Sequence, residues 1–379
     1  MKIAESVVRF PPYIGGVEQT VYHLGRNLVR RGHRVRVVCA DEGGGTDRVD
    51  GIEVVRLPYF GKVSNTNLTP GILAALLAFH PDLVHIHLPT VWFSEWGSLA
   101  ARIQKKPLVL TYHNDIYGSG AKSILARLYN SIFLKWVLHR TDRIVVSHRE
   151  YAKYSIHLRP FQNKITAIPW GVDTSRFSAG PDQVHHSALT LSFLSILDRQ
   201  HGYKGLDLLL DAMKILKDRG MIVLLNVGGK GEELSRYRQL VSNLNLEGQV
   251  TFSGFVPDES LPDFYRASDL FVLPSTDARQ EGFGLVLLEA LACGCPVLTT
   301  SIVGVAADIQ SSDAGVTVPP GKVEALCGAM ESLAGQHGRL KQMGIHGRKL
   351  VETRYTWERV ADDYERLFLS LIRPGSSEG

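Results

Sequence analysis

Short apolar runs alternate with longer stretches of helical period along this chain, and the alternation occurs twice. In the first half, residues 2–8, 35–40, 83–87, 108–112, 143–147 and 165–168 read as buried strands. Between the first two lies 19–31, where Val21, Leu24, Leu28 and Val29 follow the helical period until Gly32 stops it. In the second half, 191–197, 223–227, 250–252, 270–273 and 297–300 read as strands, with helices over 206–217, 232–244 and 285–292. Continuously apolar strands separated by helices predict parallel sheets covered on both faces. The expected class is therefore α/β, with two Rossmann-like doubly wound domains facing across a cleft. The break is placed at 177–187, which is polar and aperiodic and contains Gly180 and Pro181. It separates an N-terminal domain over 1–178 from a C-terminal domain over 188–355. After Trp357, the residues Val360, Tyr364, Leu367, Phe368 and Leu371 form one apolar stripe, so 356–379 predicts an amphipathic helix that needs a surface to cover. Ligands of such sheets sit outside the carboxyl ends of the strands, so the functional residues should follow strands directly.

Composition narrows the partners. A chain of 379 residues exceeds the usual single domain, in keeping with two. The formal charge of +4 suits an anionic ligand or an anionic membrane surface. It is too weak to argue for nucleic acid, and no Lys/Arg block long enough to track a phosphate backbone exists. Cys39, Cys293, Cys295 and Cys327 contain no C-x-x-C pair, which points away from zinc ribbons and disulfide scaffolds and toward a reducing cytoplasm. No apolar run reaches the ~18 residues of a spanning helix, so membrane contact is expected to be peripheral.

The sharpest chemical signal is Glu281-Gly-Phe-Gly-Leu-Val-Leu-Leu-Glu289. Gly282 and Gly284 stand between a polar loop and an apolar helix. Glycines there admit a ligand close to the backbone, and the helix start around Phe283, Gly284 and Leu285 offers N–H groups to phosphate. Glu289 lies about a turn and a half further on, ~7 Å along the axis at ~1.5 Å per residue. That is about the distance of a ribose, whose two hydroxyls a carboxylate can accept.

At these residues the chain resembles glycosyltransferase family 4, also called group 1, whose signature is two glutamates with seven residues between them. The resemblance implies the GT-B fold, with the last helix crossing back to the first domain. It also implies a metal-independent hexosyltransferase that keeps the anomeric configuration of a nucleotide-diphosphate sugar, without cofactor or metal. On that likeness Glu281 contacts the transferred sugar and Glu289 the ribose. Asp198-Arg199-Gln-His-Gly-Tyr-Lys204-Gly205 is similar to the family's diphosphate clamp, giving Arg199 and Lys204 the departing charge. Members often carry Gly where Asp198 stands. Gly15-Gly16 resembles the N-terminal loop whose amide reaches toward the donor phosphate or the acceptor, although a plain tight turn would look the same. His113, after the run 108–112, matches the histidine that faces the donor sugar, and a structural histidine is its rival. Gly228-Gly229 resembles the turn beneath the nucleotide, and Phe255-Val256 the segment whose backbone meets the base. The stretch from Gly304 to Asp308 departs from the family's Gly-x-x-Glu and receives no role.

The mechanism so implied is front-face attack: the acceptor hydroxyl enters on the side the diphosphate leaves, and a phosphate oxygen takes its proton. The acceptor is a glycan, a lipid-linked carrier or a small alcohol. A GT-B nucleotide-sugar epimerase and a non-catalytic nucleotide-sugar-binding protein are the alternative readings. His85, His87 and His113 could form a metal trio, but their spacing is not that of common ligand sets. Residues 121–140 carry Ile124, Leu128, Ile132, Phe133 and Trp136 beside Arg127 and Lys135. Packing on their own sheet is the expectation, with an anionic membrane face as the alternative.

Overall fold

The computed structural model describes residues 1–13, 15–63, 66–116, 122–180 and 188–372. The break expected at 177–187 lies in part, at 181–187, outside the described residues, as does Ala121. The chain divides into two compact units, Met1–Gly171 with Trp357–Gly379, and Val172–Thr356.

The first unit is built on an eight-stranded sheet of order β10-β9-β8-β7-β1-β2-β4-β3. Its strands are β1 (Lys2–Ser6), β2 (Arg34–Ala40), β3 (Gly45–Val49), β4 (Ile52–Leu57), β7 (Leu83–Leu88), β8 (Leu108–Tyr112), β9 (Arg143–Val146) and β10 (Ile165–Ala167), with β5 (Gly61–Val63) and β6 (Thr66–Leu68) forming a separate pair. All neighbours in the large sheet run parallel except β3 and β4. That hairpin turns through Asp50 and Gly51, both at positive φ, the conformation a two-residue turn requires. Its outer strand is mostly exposed, so it has no apolar run to betray it. The helix Gly16–Arg30 buries Val21, Leu24 and Leu28 on one face of the sheet. The helix Trp357–Ile372 lies over the same core through Trp357, Val360, Tyr364 and Phe368, which supplies the surface its stripe needed. Glu365 on that helix accepts from Arg31 at 3.0 Å and pairs with His33 at 2.7 Å.

The second unit is a six-stranded, wholly parallel sheet of order β13-β12-β11-β14-β15-β16. The strands are β11 (Leu189–Leu194), β12 (Val223–Gly228), β13 (Val250–Gly254), β14 (Leu270–Leu273), β15 (Val297–Thr300) and β16 (Gly315–Val318). β16 was not anticipated, because Gly-Val-Thr-Val is too short and too polar to stand out. Strand order reverses between β11 and β14. That switch point opens a crevice at the carboxyl ends, where doubly wound sheets bind ligands. Two segments follow those two strands: Arg199–Lys204 after β11 and Ser275 to Glu281 after β14.

Candidate active site

β11 ends three residues earlier than its apolar run predicts, and the reason is local. Beyond Leu194 the chain bonds to the last residue of β12 and to the loop after it, Ser195 N–H to Gly228 O at 3.2 Å and Leu197 N–H to Lys230 O at 3.0 Å. Gly229 has φ of 123°, and a Cβ there would stand 1.8 Å from Ser195 O. No side chain fits, so only glycine lets the two loops touch. Phe255 beyond β13 is largely exposed, with the Lys230 ammonium 4.8 Å from its ring centre, while Val256 is half-buried.

The turn Arg199–Lys204 is a short 3-10 helix. Asp198 caps it: its Oδ1 accepts from His201 N–H at 2.9 Å and from His201 Nδ1 at 2.7 Å. The residue is extended, so nothing requires glycine there, and the departure from the family pattern is a helix cap. Gly205 then takes φ of 84°, with an imagined Cβ 2.2 Å from Pro274 O. This close approach carries Lys204 to the end of β14. Its Nζ donates to Glu281 Oε2 at 2.7 Å, and Ser275 Oγ donates to the same oxygen at 2.9 Å. Glu281 is buried, and its Oε1 makes no hydrogen bond among the described residues. Arg199 stands at the other end of the turn, ~10 Å along its axis at ~2 Å per residue. Its side chain is 83% exposed and donates to Glu233 at 3.2 Å. Lys204 and Glu281 are thus brought together, while Arg199 is held by a different carboxylate.

Gly284, at φ of 87°, caps the helix Leu285–Ala292, and a Cβ there would strike Val303 at 2.5 Å. The first N–H groups of that helix have no partner within it. Phe283 is buried and packs edge-on to Tyr355, with centroids 6.0 Å apart. Glu289 accepts from Tyr265 OH at 2.7 Å. Burial pushes its carboxyl up to about 7, partly offset by that hydrogen bond. Asp308, given no role from sequence, accepts from Arg354 at 2.6 Å and from Tyr355 OH, and so ties down the chain just before Thr356.

His113 and Gly16 belong to the first unit. Gly16 opens the helix Gly16–Arg30, and a Cβ there would meet nothing within 4 Å. His113 follows β8, stacks on Trp170 and faces His87. His85 and His87 share one face of β7, and between them lies a carboxylate that sequence reading passed over. Glu5 of β1 accepts from His85 Nδ1 at 3.0 Å and from His87 Nε2 at 2.9 Å. His85 Nε2 continues to Thr111 Oγ1 at 2.7 Å, and Thr111 to Tyr364 OH at 2.8 Å. Glu5, His85 and His87 place ligand-capable atoms within 4.8 Å of one another. Each carboxylate oxygen nevertheless faces its own imidazole at hydrogen-bonding distance, rather than all donors converging on one point.

Family comparison settles what this arrangement belongs to. Residues 185–350 match the model of glycosyl transferases group 1, and residues 14–176 match that of glycosyltransferase family 4. The chain is a family 4, group 1 glycosyltransferase. It is 28% identical over 375 residues to the O-antigen chain mannosyltransferase C of Escherichia coli, covering 97% of both chains. It is 27% identical to the phosphatidyl-myo-inositol mannosyltransferase of Mycobacterium leprae, over 96% of this chain and 95% of that one. Among solved structures, sucrose-phosphate synthase from Thermosynechococcus elongatus superposes with TM-score 0.75 at 24% identity, over 98% of each chain. Anabaena HepE in complex with UDP and glucose superposes with TM-score 0.73 at 19% identity, over 98% of this chain and all of that one. The fold is GT-B, and the glycosyltransferase is a hexosyltransferase that uses a nucleotide-sugar donor.

Two other surfaces of this glycosyltransferase stand out. A groove of about 440 Å³ lies between Arg266, Cys293 and Gly294 on one side and Lys341 and Arg348 on the other. Its residues Asp269 and Pro296 precede β14 and β15, so it opens at the amino ends of the strands, opposite the Lys204–Glu281 pair. The stretch from Lys122 to Arg140 is a helix interrupted by a π turn at Asn130–Leu134. Leu134, Val137 and Leu138 pack in the core as expected, whereas Ile124, Leu128, Ile132 and Phe133 are each at least half exposed. No described helix is long and apolar enough to cross a membrane.

Proposed function

We propose that this glycosyltransferase moves a hexosyl group from a GDP- or UDP-hexose to an acceptor hydroxyl with retention of configuration and without a metal. The observation that carries the reading is the meeting of Lys204 and Ser275 on one oxygen of Glu281, at the switch point of the second sheet. A cation, a buried carboxylate with one uncommitted oxygen and a glycine-opened helix start meet there. Lys204, joined by Arg199, balances the charge of the departing diphosphate, the task a metal would otherwise perform. Glu281 Oε1 accepts from a hydroxyl of the transferred sugar. The N–H groups around Phe283, Gly284 and Leu285 face phosphate. Gly229, Phe255 and Val256 receive the base, and Glu289 the ribose. Gly16 and His113 complete the donor contacts, with His113 on the sugar. The acceptor hydroxyl attacks from the face the diphosphate leaves and gives its proton to a phosphate oxygen, so no side-chain nucleophile takes part.

The relatives favour mannose, since two further ones from Mycobacterium tuberculosis and Mycolicibacterium smegmatis are described as GDP-mannose-dependent. Their acceptors make a glycan or lipid-linked acceptor the first class to try. A lipid-linked acceptor fits a cytoplasmic enzyme touching an anionic membrane through the exposed face of Ile124, Leu128, Ile132 and Phe133, with Arg127 and Lys135 exposed beside it. The deciding experiment incubates the enzyme with GDP-mannose or UDP-glucose, an acceptor panel and excess chelator. Anomeric configuration of the product is read by NMR, and co-sedimentation with anionic vesicles is measured alongside. Retained-configuration transfer in chelator is expected. Turnover lost in chelator and restored by manganese, an epimerised donor, or binding without transfer or hydrolysis would each overturn the reading.

The ribose assignment predicts a pH dependence. Only the ionised Glu289 can accept from both hydroxyls, and its pKa is raised to about 7. Affinity for GDP or UDP is therefore full well above pH 7, is about halved at pH 7 and falls further below it, by about tenfold between pH 8 and pH 6. The nucleotide's own phosphate titrates at ~6, so the slope is read against Glu289→Gln. Parallel curves for the two proteins by titration calorimetry remove Glu289 from the ribose.

A further inference from the structure

The buried polar chain that begins at Glu5 has a direction. Glu5 and His87 are fully enclosed, and buried polar atoms require partners. A carboxylate can only accept, so the 2.9 Å contact puts the His87 proton on Nε2. Burial would raise the Glu5 carboxyl, but the imidazoles of His85 and His87 outweigh it and hold it at about 2. Burial, with His85 adding to it, pushes His87 down to about 4. His87 is thus neutral at pH 7, and its Nδ1 is a bare acceptor. His113 Nε2 lies 3.2 Å from that nitrogen and must be its donor. The remaining ring nitrogen, His113 Nδ1, then carries a lone pair, and it makes no hydrogen bond among the described residues. The ring is held on two other sides. The His113 backbone N–H bonds Leu88 O at 3.0 Å, and the imidazole stacks on Trp170 with centroids 4.7 Å apart and planes 17° from parallel.

We propose that Glu5 and His87 are positioning residues that lock His113 as its Nε2–H tautomer, so that Nδ1 accepts a hydrogen bond from a hydroxyl of the donor sugar. The proposal rests on the reading of His113 as the donor-sugar contact. It adds polarity to that contact: His113 can receive a proton-bearing group there but cannot donate to one. The partner of one imidazole nitrogen decides the role of the other, which is how a residue that never meets the substrate sets its recognition.

The test is ¹⁵N NMR of the full-length protein labelled at histidine, at pH 7.5 without ligand. The chain has 14 histidines, so the His113 signals are those missing from His113→Ala. A single neutral Nε2–H tautomer is expected. An Nδ1–H tautomer, a rapidly averaging mixture or an imidazolium would overturn the proposal, and His113→Gln supplies the same assignment should His113→Ala not fold. In His87→Phe, His113 should average between tautomers, and transfer from GDP-mannose should fall by about tenfold to a hundredfold with GDP affinity unchanged. In His87→Asn, an amide oxygen can still receive His113 Nε2–H, so the tautomer and part of the rate should return. Retention of the locked tautomer in His87→Phe would also overturn it. Unchanged transfer in His113→Ala would remove the sugar contact and leave the tautomer result standing. A wrong tautomer together with a large loss in His113→Ala would remove the positioning chain alone.

Discussion

Lys204→Ala is expected to lower kcat by a factor on the order of 10²–10³, or ~3–4 kcal/mol, the scale of a lost donor at a site of developing charge. The diphosphate gains charge as the glycosidic bond breaks, and Lys204 is the cation already held against the buried Glu281. The same substitution has a second effect that must be separated from the first. Among the described residues Glu281 would keep only Ser275 as partner, and leaving a buried charge without its counterion costs up to ~3–5 kcal/mol of stability. Lys204 keeps 16% of its side chain exposed, so water reaches the pair and the lower part of that range is expected. The double variant Lys204→Ala/Glu281→Gln removes the stranded charge. It should regain denaturation midpoint and should not regain turnover. Arg199→Ala offers the converse case, because that side chain is 83% exposed and its partner Glu233 keeps Arg236 at 3.6 Å. It should unfold as the wild type does and still lose turnover. Near-normal kcat in both folded single variants would end the assignment of these cations to the diphosphate.

Gly205→Ala should damage stability and turnover together although it changes no chemical group. The residue sits at φ of 84°, where a side chain costs ~1–2 kcal/mol, and its Cβ would lie 2.2 Å from the carbonyl oxygen of Pro274. Relieving that clash means separating the turn Arg199–Lys204 from the end of β14, at a further ~1–3 kcal/mol typical of overpacking. Lys204 would then leave Glu281. Denaturation midpoints and kcat measured on one preparation check this, with kcat expected to approach that of Lys204→Ala. Gly202, where a Cβ would meet nothing, is the control: Gly202→Ala should change neither. A Gly205→Ala enzyme with normal rate would mean that the approach of the two loops is not what places the cation.

Much of this enzyme was legible in one dimension because its sheets are buried on both faces. Parallel strands covered by helices must be apolar throughout, so the strands β8, β14 and β15 were read at their observed bounds. The helix Leu285–Ala292 could be read together with its two glutamates, since the glycine cap, the apolar run and the carboxylates lie within nine consecutive residues. Elements without a buried run escaped. The exposed strand β3 carries Thr46, Asp47 and Arg48, and β16 is four residues long. The end of β11 was also misplaced, because an apolar run shows burial and not which neighbour a residue bonds.

The partners of the chemical groups were not legible, and for one reason: they are distant in the chain. Lys204 meets Glu281 across 77 residues because Gly205 fits against Pro274. Glu289 meets Tyr265, and Arg199 is held by Glu233. Of the histidine network the sequence offered His85, His87 and His113 but not their partner Glu5, which stands in a strand read as apolar; its pairing with His85 and His87 arises only where β1 and β7 lie side by side. Residue type and local period determined which groups this chain carries and which elements bear them. Which group touches which, and hence which nitrogen holds a proton or which oxygen stays uncommitted, was decided only when the sheets closed, because hydrogen bonds act over about 3 Å and the chain between their ends is tens of residues long.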